Sequence, residues 1–408
     1  MKAYERLLKY VVVKTPSDEE STTVPSSACQ WDLAKLLLEE LHELGLTDAY
    51  INDKGFVYGK IPATEGYEDS VKIGFMAHMD TVSDFCEGEI VPVITENYDG
   101  KELALGTSGK SLKVENFPHL PTLTGRTLIT TDGNTILGAD DKAGIAEIMT
   151  VVETLLKENI PHGPISIAFT PDEEIGIGSH SFDVPAFDAD FAYTVDGGKE
   201  GEIEYENFNA CGARFEIVGF SVHPGSAKDT MVNAALLAME INQMLPSGQT
   251  PRDTNGYEGF YHLIEMSGEV GSACLDYIVR DHDAASFESR KEVLRQIETV
   301  MNEKYGEGTV TLTIKEQYRN MSEIIREHMH LIENAKQAAK NVGIEPQVVP
   351  IRGGTDGSYL SFQGLPCPNL GPGGYAFHGP YEHITVEGME AATKMLLKIV
   401  NLYAKIKR

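Results

Sequence analysis

The chain has 408 residues, with 62 acidic against 34 basic and a formal net charge of −28. A field of that sign repels nucleic acid and anionic membranes and attracts cations, although plain solubility accounts for much of such an excess. A length beyond roughly 250–300 residues exceeds one comfortable core and predicts more than one domain.

Five cysteines, Cys29, Cys86, Cys211, Cys274 and Cys367, lie far apart and form no C-x-x-C pair. This fits a reduced, cytoplasmic protein and argues against a cysteine-based metal site. Charges interrupt the apolar residues of the first ten positions, so no signal-peptide core is expected there. No uncharged apolar run approaches the ~20 residues of a membrane span.

Ser26 and Ser27 offer helix caps before Trp31, Ala34, Leu37, Leu38, Leu41 and Leu44, which recur at helical spacing; Gly45 is a natural stop. Val71 to Ala77 reads as a buried strand. Asp132-Gly133-Asn134 marks a turn, and Lys142 to Leu156 is helical again. Pro164 to Phe169 and Phe191 to Val195 read as two further buried strands. Strands separated by helices predict an α/β domain with a mostly parallel, helix-covered sheet.

The texture changes near Asn207. Ala213 to Val218 alternates as a half-exposed strand, followed by a helix over Met231 to Met244 and strands over Tyr261 to Met266 and Asp276 to Asp281. A helix from Ser286 to Tyr305 and a strand from Thr309 to Ile314 complete a β-α-β-β-α-β order, that of a ferredoxin-like α+β domain. The expected division is a catalytic domain of residues 1–207 and 319–408 with an inserted domain of 208–318. After the insert, a helix over Glu327 to Asn341, a strand near Val348 and a long helix from Val386 resume the α/β pattern.

Five segments concentrate carboxylates and histidines, most of them at ends of expected strands, where ligands of α/β sheets gather. His78-Met79-Asp80 follows the first buried strand, and in extended chain its two polar side chains point the same way. Asp140 and Asp141 precede a helix that needs only one cap, so the pair is either a cap plus a dipole-friendly charge or a metal-bridging carboxylate. Asp172-Glu173-Glu174 repel one another unless cations intervene; one could bind metal while its neighbour moves a proton. Asp196 stands in an Asp-Gly turn at a strand tip, and Phe377 to His383 holds His378, Glu382 and His383. Together these offer histidine and carboxylate ligands of the kind zinc accepts.

The order H-x-D, D-D-K, E-E, D and a late His with an acid four residues on resembles the zinc peptidase family that contains carboxypeptidase G, succinyl-diaminopimelate desuccinylase and peptidase T. Longer strings resemble its tripeptidase branch: Tyr193 to Gly198, Glu206 to Ala210, Gly256 to His262, Ile351 to Gly357 and Gly364 to Leu370. The resemblance implies a zinc-dependent aminopeptidase that removes the N-terminal residue of tripeptides, with two Zn2+ per subunit and short peptides as partners. It further implies an inserted domain acting as a lid, with a homo-oligomer as an open possibility.

Carried over residue by residue, His78 and Asp196 would hold one zinc, Glu174 and His378 the other, and Asp140 would bridge them. Asp80 would orient His78. Glu173 would be the general base for a zinc-bridging water. His223 in Ser221 to Gly225 would stabilise the attacked carbonyl from the lid. A cis peptide between Asp140 and Asp141 is also implied. Asn207, Arg280 and Arg352 are the expected substrate contacts; the arginines suit capture of the substrate's C-terminal carboxylate, with a surface ion pair as the ordinary alternative.

Overall fold

The computed structural model describes residues 1–408 and divides them into two compact units. The first comprises Met1–Tyr205, Met321–Val349 and Thr355–Arg408, the second Glu206–Asn320 and Pro350–Gly354. The second unit is thus larger than the expected insert: it takes in a short later segment and with it Arg352, which lies outside the expected bounds of 208–318.

The first unit is built on an eight-stranded mixed sheet. At its centre Ile73–His78 lies parallel to Ile165–Thr170 on one side and Phe191–Thr194 on the other. All six residues of each of the first two strands are buried, which explains their continuous apolar reading. Register pairs His78 with Thr170 and Met76 with Thr194. The three strands therefore end at one level, and the residues just beyond them emerge together. Antiparallel partners at the flanks, such as Val57–Ile61 on Ile165–Thr170, make the sheet mixed rather than uniformly parallel.

Ala139–Glu158 is the principal helix, buried along most of its length. A second sheet of this unit is antiparallel throughout, in the order Gly374–Tyr375, His383–Thr385, Leu128–Thr131, Pro92–Thr95. It rests on a cluster of Tyr98, Leu105, Leu112, Leu120, Leu123 and Leu128. No helix of the chain is long and apolar enough to cross a membrane.

The helix of Trp31 and Leu44 spans Gln30–Glu43 and stops before Gly45 at φ +101°. Its expected caps do not cap it: the N-cap is Cys29, with no side-chain hydrogen bond, because the Ser26 hydroxyl is drawn instead to the buried Asp172 carboxylate.

The second unit is a four-stranded antiparallel sheet in the order Phe260–Gly268, Ser272–Asp281, Asn209–Val218, Val310–Tyr318. Cys211, Ala213, Phe215 and Ile217 alternate inward along Asn209–Val218 and pack with Leu237 and Ile241 of the helix Ala234–Met244. Leu294, Ile297 and Met301 of the helix Ala284–Tyr305 complete that core. Chain order and strand order together make this a ferredoxin-like α+β unit.

Candidate active site

The common level of the three central strands places His78, the Glu173-Glu174 loop and Asp196 side by side in the first unit. His78 Nδ1 lies 3.0 Å from the Asp80 carbonyl oxygen, to which it donates; Nε2 is left facing carboxylates, 3.0 Å from Asp140 Oδ1 and 3.6 Å from Asp196 Oδ1. From the hairpin loop between Gly374–Tyr375 and His383–Thr385, His378 brings its Nε2 to 3.0 Å from Asp140 Oδ2 and 3.1 Å from Glu174 Oε2. Each oxygen of Asp140 thus faces a different imidazole. The peptide between Asp140 and Asp141 is cis.

Asp141 is buried and points elsewhere. Its oxygens accept from the His78 amide at 3.2 Å and the Gly144 amide at 3.3 Å, the second being the helix-capping role the sequence allowed. It lies close enough to His78 and Asp196 to form a potential ligand group with them, as Asp140 and Glu174 do with His78. Asp140 is the better bridge, because no backbone amide of its neighbours occupies the two oxygens it turns toward imidazoles.

Backbone amides hold the supporting carboxylates. Glu382 is buried and accepts from the amides of Leu137 at 2.8 Å, Gly138 at 2.7 Å and Asp140 at 3.0 Å, fixing the turn that presents Asp140. Asp80 accepts from the Glu173 amide at 3.0 Å and the Glu174 amide at 3.1 Å. Asp80 therefore does more than the expected orienting of His78: its carbonyl fixes the ring and its carboxylate fixes the glutamate loop. Asn369 Nδ2 donates to the Asp196 carbonyl at 3.1 Å. Lys142, fully buried, donates to the Val13 carbonyl at 2.7 Å, and burial lowers its pKa to about 8.

The electrostatics are those of a site built for cations. Burial raises the pKa of Asp196 to about 7, with the His78 imidazolium only partly offsetting it. Burial and Asp196 raise Glu173 well above the usual carboxylate range, and burial also raises Glu174. Hydrogen bonds to Asp140 and Glu174 raise His378 to about 11. Burial opposes charge on His78, yet Asp196, Asp140 and Asp80 override it and raise its pKa well above normal. Protonated imidazoles are then the only positive charge among the converging carboxylates, and a metal cation would take their place and release those protons.

His383, the other late histidine, is remote from these oxygens in function. It is buried, donates from Nδ1 to the Tyr381 carbonyl at 2.7 Å, and lies beside the stacked rings of His119 and Tyr375, with its Nε2 2.8 Å from His119 Nε2. Nothing local marks His119, whose partners His383 and Tyr375 lie more than 250 residues along the chain.

The remaining expected residues belong to the second unit. His223 is exposed, and its Nδ1 accepts from the Gly225 amide at 3.1 Å. Arg280 is only 9% exposed and has no carboxylate partner; it donates to the carbonyls of Cys211 at 3.2 Å and Val279 at 3.0 Å and lies over the Tyr318 ring. The surface ion pair considered for it is absent. Arg352 spends its donors on the carbonyls of Gly256, Glu258 and Thr254 and stacks on Phe208 and Phe260. Asn207 is buried and donates to the carbonyls of Phe208 at 2.9 Å and Arg319 at 3.0 Å, where the chain enters and leaves this unit.

Residues 130–402 match Peptidase family M20/M25/M40. A peptidase T from Clostridium perfringens is 52% identical over 405 residues, covering 99% of each chain. A peptidase T from Caldanaerobacter subterraneus is 51% identical over 406 residues, again covering 99% of each. Among solved structures, a tripeptidase from Staphylococcus aureus shares the fold with a TM-score of 0.77 at 22% identity, over 99% of this chain and 98% of its own. A Bacillus subtilis protein described as a dinuclear metal binding peptidase does so with a TM-score of 0.61 at 14% identity, over 98% of each chain. The chain belongs to peptidase family M20/M25/M40, and within that family to the peptidase T group.

Proposed function

We propose that this enzyme is a zinc-dependent aminopeptidase that hydrolyses the N-terminal peptide bond of tripeptides. The observation that carries the reading is the Asp140 carboxylate, whose two oxygens each meet one imidazole, His78 and His378, at 3.0 Å. The donor set fits two zinc ions: imidazole nitrogens and carboxylate oxygens, no thiolate, with His78 backed by the Asp80 carbonyl and the Asp140 turn by Glu382. His78 and Asp196 would hold one ion, Glu174 and His378 the other, and Asp140 both. Bound there, the ions would supply Lewis acidity and an acidified water.

The protein's own groups do the rest. Glu173 sits beside Glu174 on amides anchored by Asp80, so it can reach the same water without being needed as a ligand. Its role would be to take a proton from the attacking water and return it to the leaving amine. His223 has its Nε2 available to donate to the carbonyl oxygen as negative charge develops there. The second unit acts as the lid that carries this histidine.

Length selection rests on Arg280. A buried guanidinium without an acid is a costly arrangement that an incoming carboxylate would relieve. A chain advances ~3.3–3.6 Å per residue, so an anchored carboxylate sets which bond lies at the metals. The names of the relatives, peptidase T and tripeptidase, agree with this selection. Turnover of di-, tri- and tetrapeptides, each with and without a chelator, tests the whole reading. Chelator-sensitive release of the N-terminal residue from tripeptides is expected. Chelator-resistant cleavage, or equal rates at all three lengths, would overturn it.

A further inference from the structure

We propose that Asp172, the first acid of the Asp172-Glu173-Glu174 run, is a positioning residue for Glu173; the proposal rests on the reading of Glu173 as the general base. Asp172 is fully buried, and no lysine or arginine pairs with it. An isolated carboxylate is expensive to bury unless hydrogen bonds satisfy it. Here three donors do so. Its Oδ2 accepts from the Ser26 amide at 2.8 Å, and its Oδ1 accepts from the Ser26 hydroxyl and from Gln30 Nε2 at 2.7 Å.

The backbone of the same residue is fixed as well. Asp172 has φ +59°, a left-handed turn that reverses the chain one residue before Glu173. Its carbonyl accepts from the amides of Ile177 at 3.3 Å and Gly178 at 2.9 Å. The turn is so tight that a Cβ at Gly178 would lie 2.2 Å from the Pro171 oxygen.

These bonds close a ring. Ser17, in the segment leading to Ser26, donates its amide to the Thr81 carbonyl at 3.0 Å. Thr81 follows Asp80, whose carboxylate holds the Glu173 and Glu174 amides. Ser26 then returns the ring to Asp172. Glu173 is thus held between two carboxylates on opposite sides of its loop, Asp80 through its own amide and Asp172 through the preceding residue. Asp80 anchors both glutamates, whereas Asp172 acts one residue from the base and two from the ligand. A small displacement of a catalytic group costs up to about 10²-fold in rate.

Aspartate lets both oxygens accept without rearrangement, one from the fixed Ser26 amide and the other from the Ser26 hydroxyl and Gln30. Asparagine has the same shape, but its NH2 would face a donor on one side. Asp172→Asn should therefore lower kcat about 10–100-fold at near-constant KM, with zinc content and thermal midpoint close to wild type. Adding Gln30→Glu to Asp172→Asn reverses the polarity of the broken bond and should restore most of the lost kcat. Gln30→Ala alone, which leaves the acid intact, should lower kcat by a smaller factor in the same direction.

Glu173→Ala is measured in parallel. If that variant stays active, the base assignment fails rather than the latch. If it is inactive while Asp172→Asn and Gln30→Ala keep full kcat, the proposal is overturned. It is equally overturned if Asp172→Asn sheds zinc in step with activity, since Asp172 would then be placing Glu174 instead.

Discussion

The two units hold their polar side chains in opposite ways. In the first, buried carboxylates are held by backbone amides: Glu382 by three, Asp80 by two. In the second, two guanidiniums are held by backbone carbonyls and aromatic rings, Arg280 by Cys211, Val279 and Tyr318, Arg352 by Thr254, Gly256, Glu258 and two phenylalanines, while Arg214 and Arg290 pair with Asp276 and Asp281. Backbone dipoles preorganise a charge without cancelling it. The carboxylates so held keep a negative charge that calls for a cation, and Arg280 a positive charge that calls for an anion.

The comparison breaks first if the negative cluster does not need its bridge. Asp140→Ala should release both metals and abolish measurable turnover, because each remaining imidazole loses the oxygen it shares. Metal analysis with retained metal would contradict this. Glu382→Ala removes only the support of the Asp140 turn. It should weaken metal affinity about 10–100-fold, the usual cost of losing a group behind a ligand, as read by chelator competition.

On the positive side, Arg280→Ala should lower kcat/KM for a tripeptide roughly 10-fold, the scale of one charge-assisted hydrogen bond. A tripeptide with an amidated C-terminus should show the same loss in the wild type and no further loss in the variant. Full selectivity in both cases would leave length to steric closure of the lid. Arg352→Ala should instead act chiefly on the Thr254–Glu258 loop it holds, with limited proteolysis as the readout.

The smallest effect concerns imidazoles outside the cluster. Burial lowers the pKa of His383 to about 4, with His119 adding to the fall and the Tyr381 carbonyl opposing it. The unfolded chain, near pKa 6.5, then binds more protons than the native one between pH 6.5 and 4. Its contribution to stability is complete above pH 6.5 and is lost as pH falls through that window. Between pH 7 and 5, His383→Gln should lose about 2 kcal/mol less than wild type in denaturant titrations. Parallel losses would show that His383 does not titrate as its burial requires.

Much of this was legible in the sequence. Ile73–His78 and Ile165–Thr170 announce themselves because strands buried on both faces are continuous apolar runs. The five motifs named the residues that converge, since most stand just beyond a strand and Asp140 opens the helix Ala139–Glu158. What was not legible depends on partners far along the chain. Ser26 looks like a helix cap until Asp172, 146 residues away, claims its hydroxyl. Gly374–Tyr375 and His383–Thr385, two and three residues long, are too short to show any period, so nothing local marks the antiparallel sheet that carries the His378 loop. Arg352 could be read as a catalytic-domain residue because nothing local shows Pro350–Gly354 returning to the second unit.

The central claim is a division of labour between adjacent glutamates, with Glu174 a ligand and Glu173 a proton carrier. Zinc content and kcat measured on one preparation of Glu173→Ala test it most directly. The account predicts both zinc ions retained and kcat reduced about 10³–10⁴-fold. Loss of zinc in proportion to activity would contradict it and exchange the two roles.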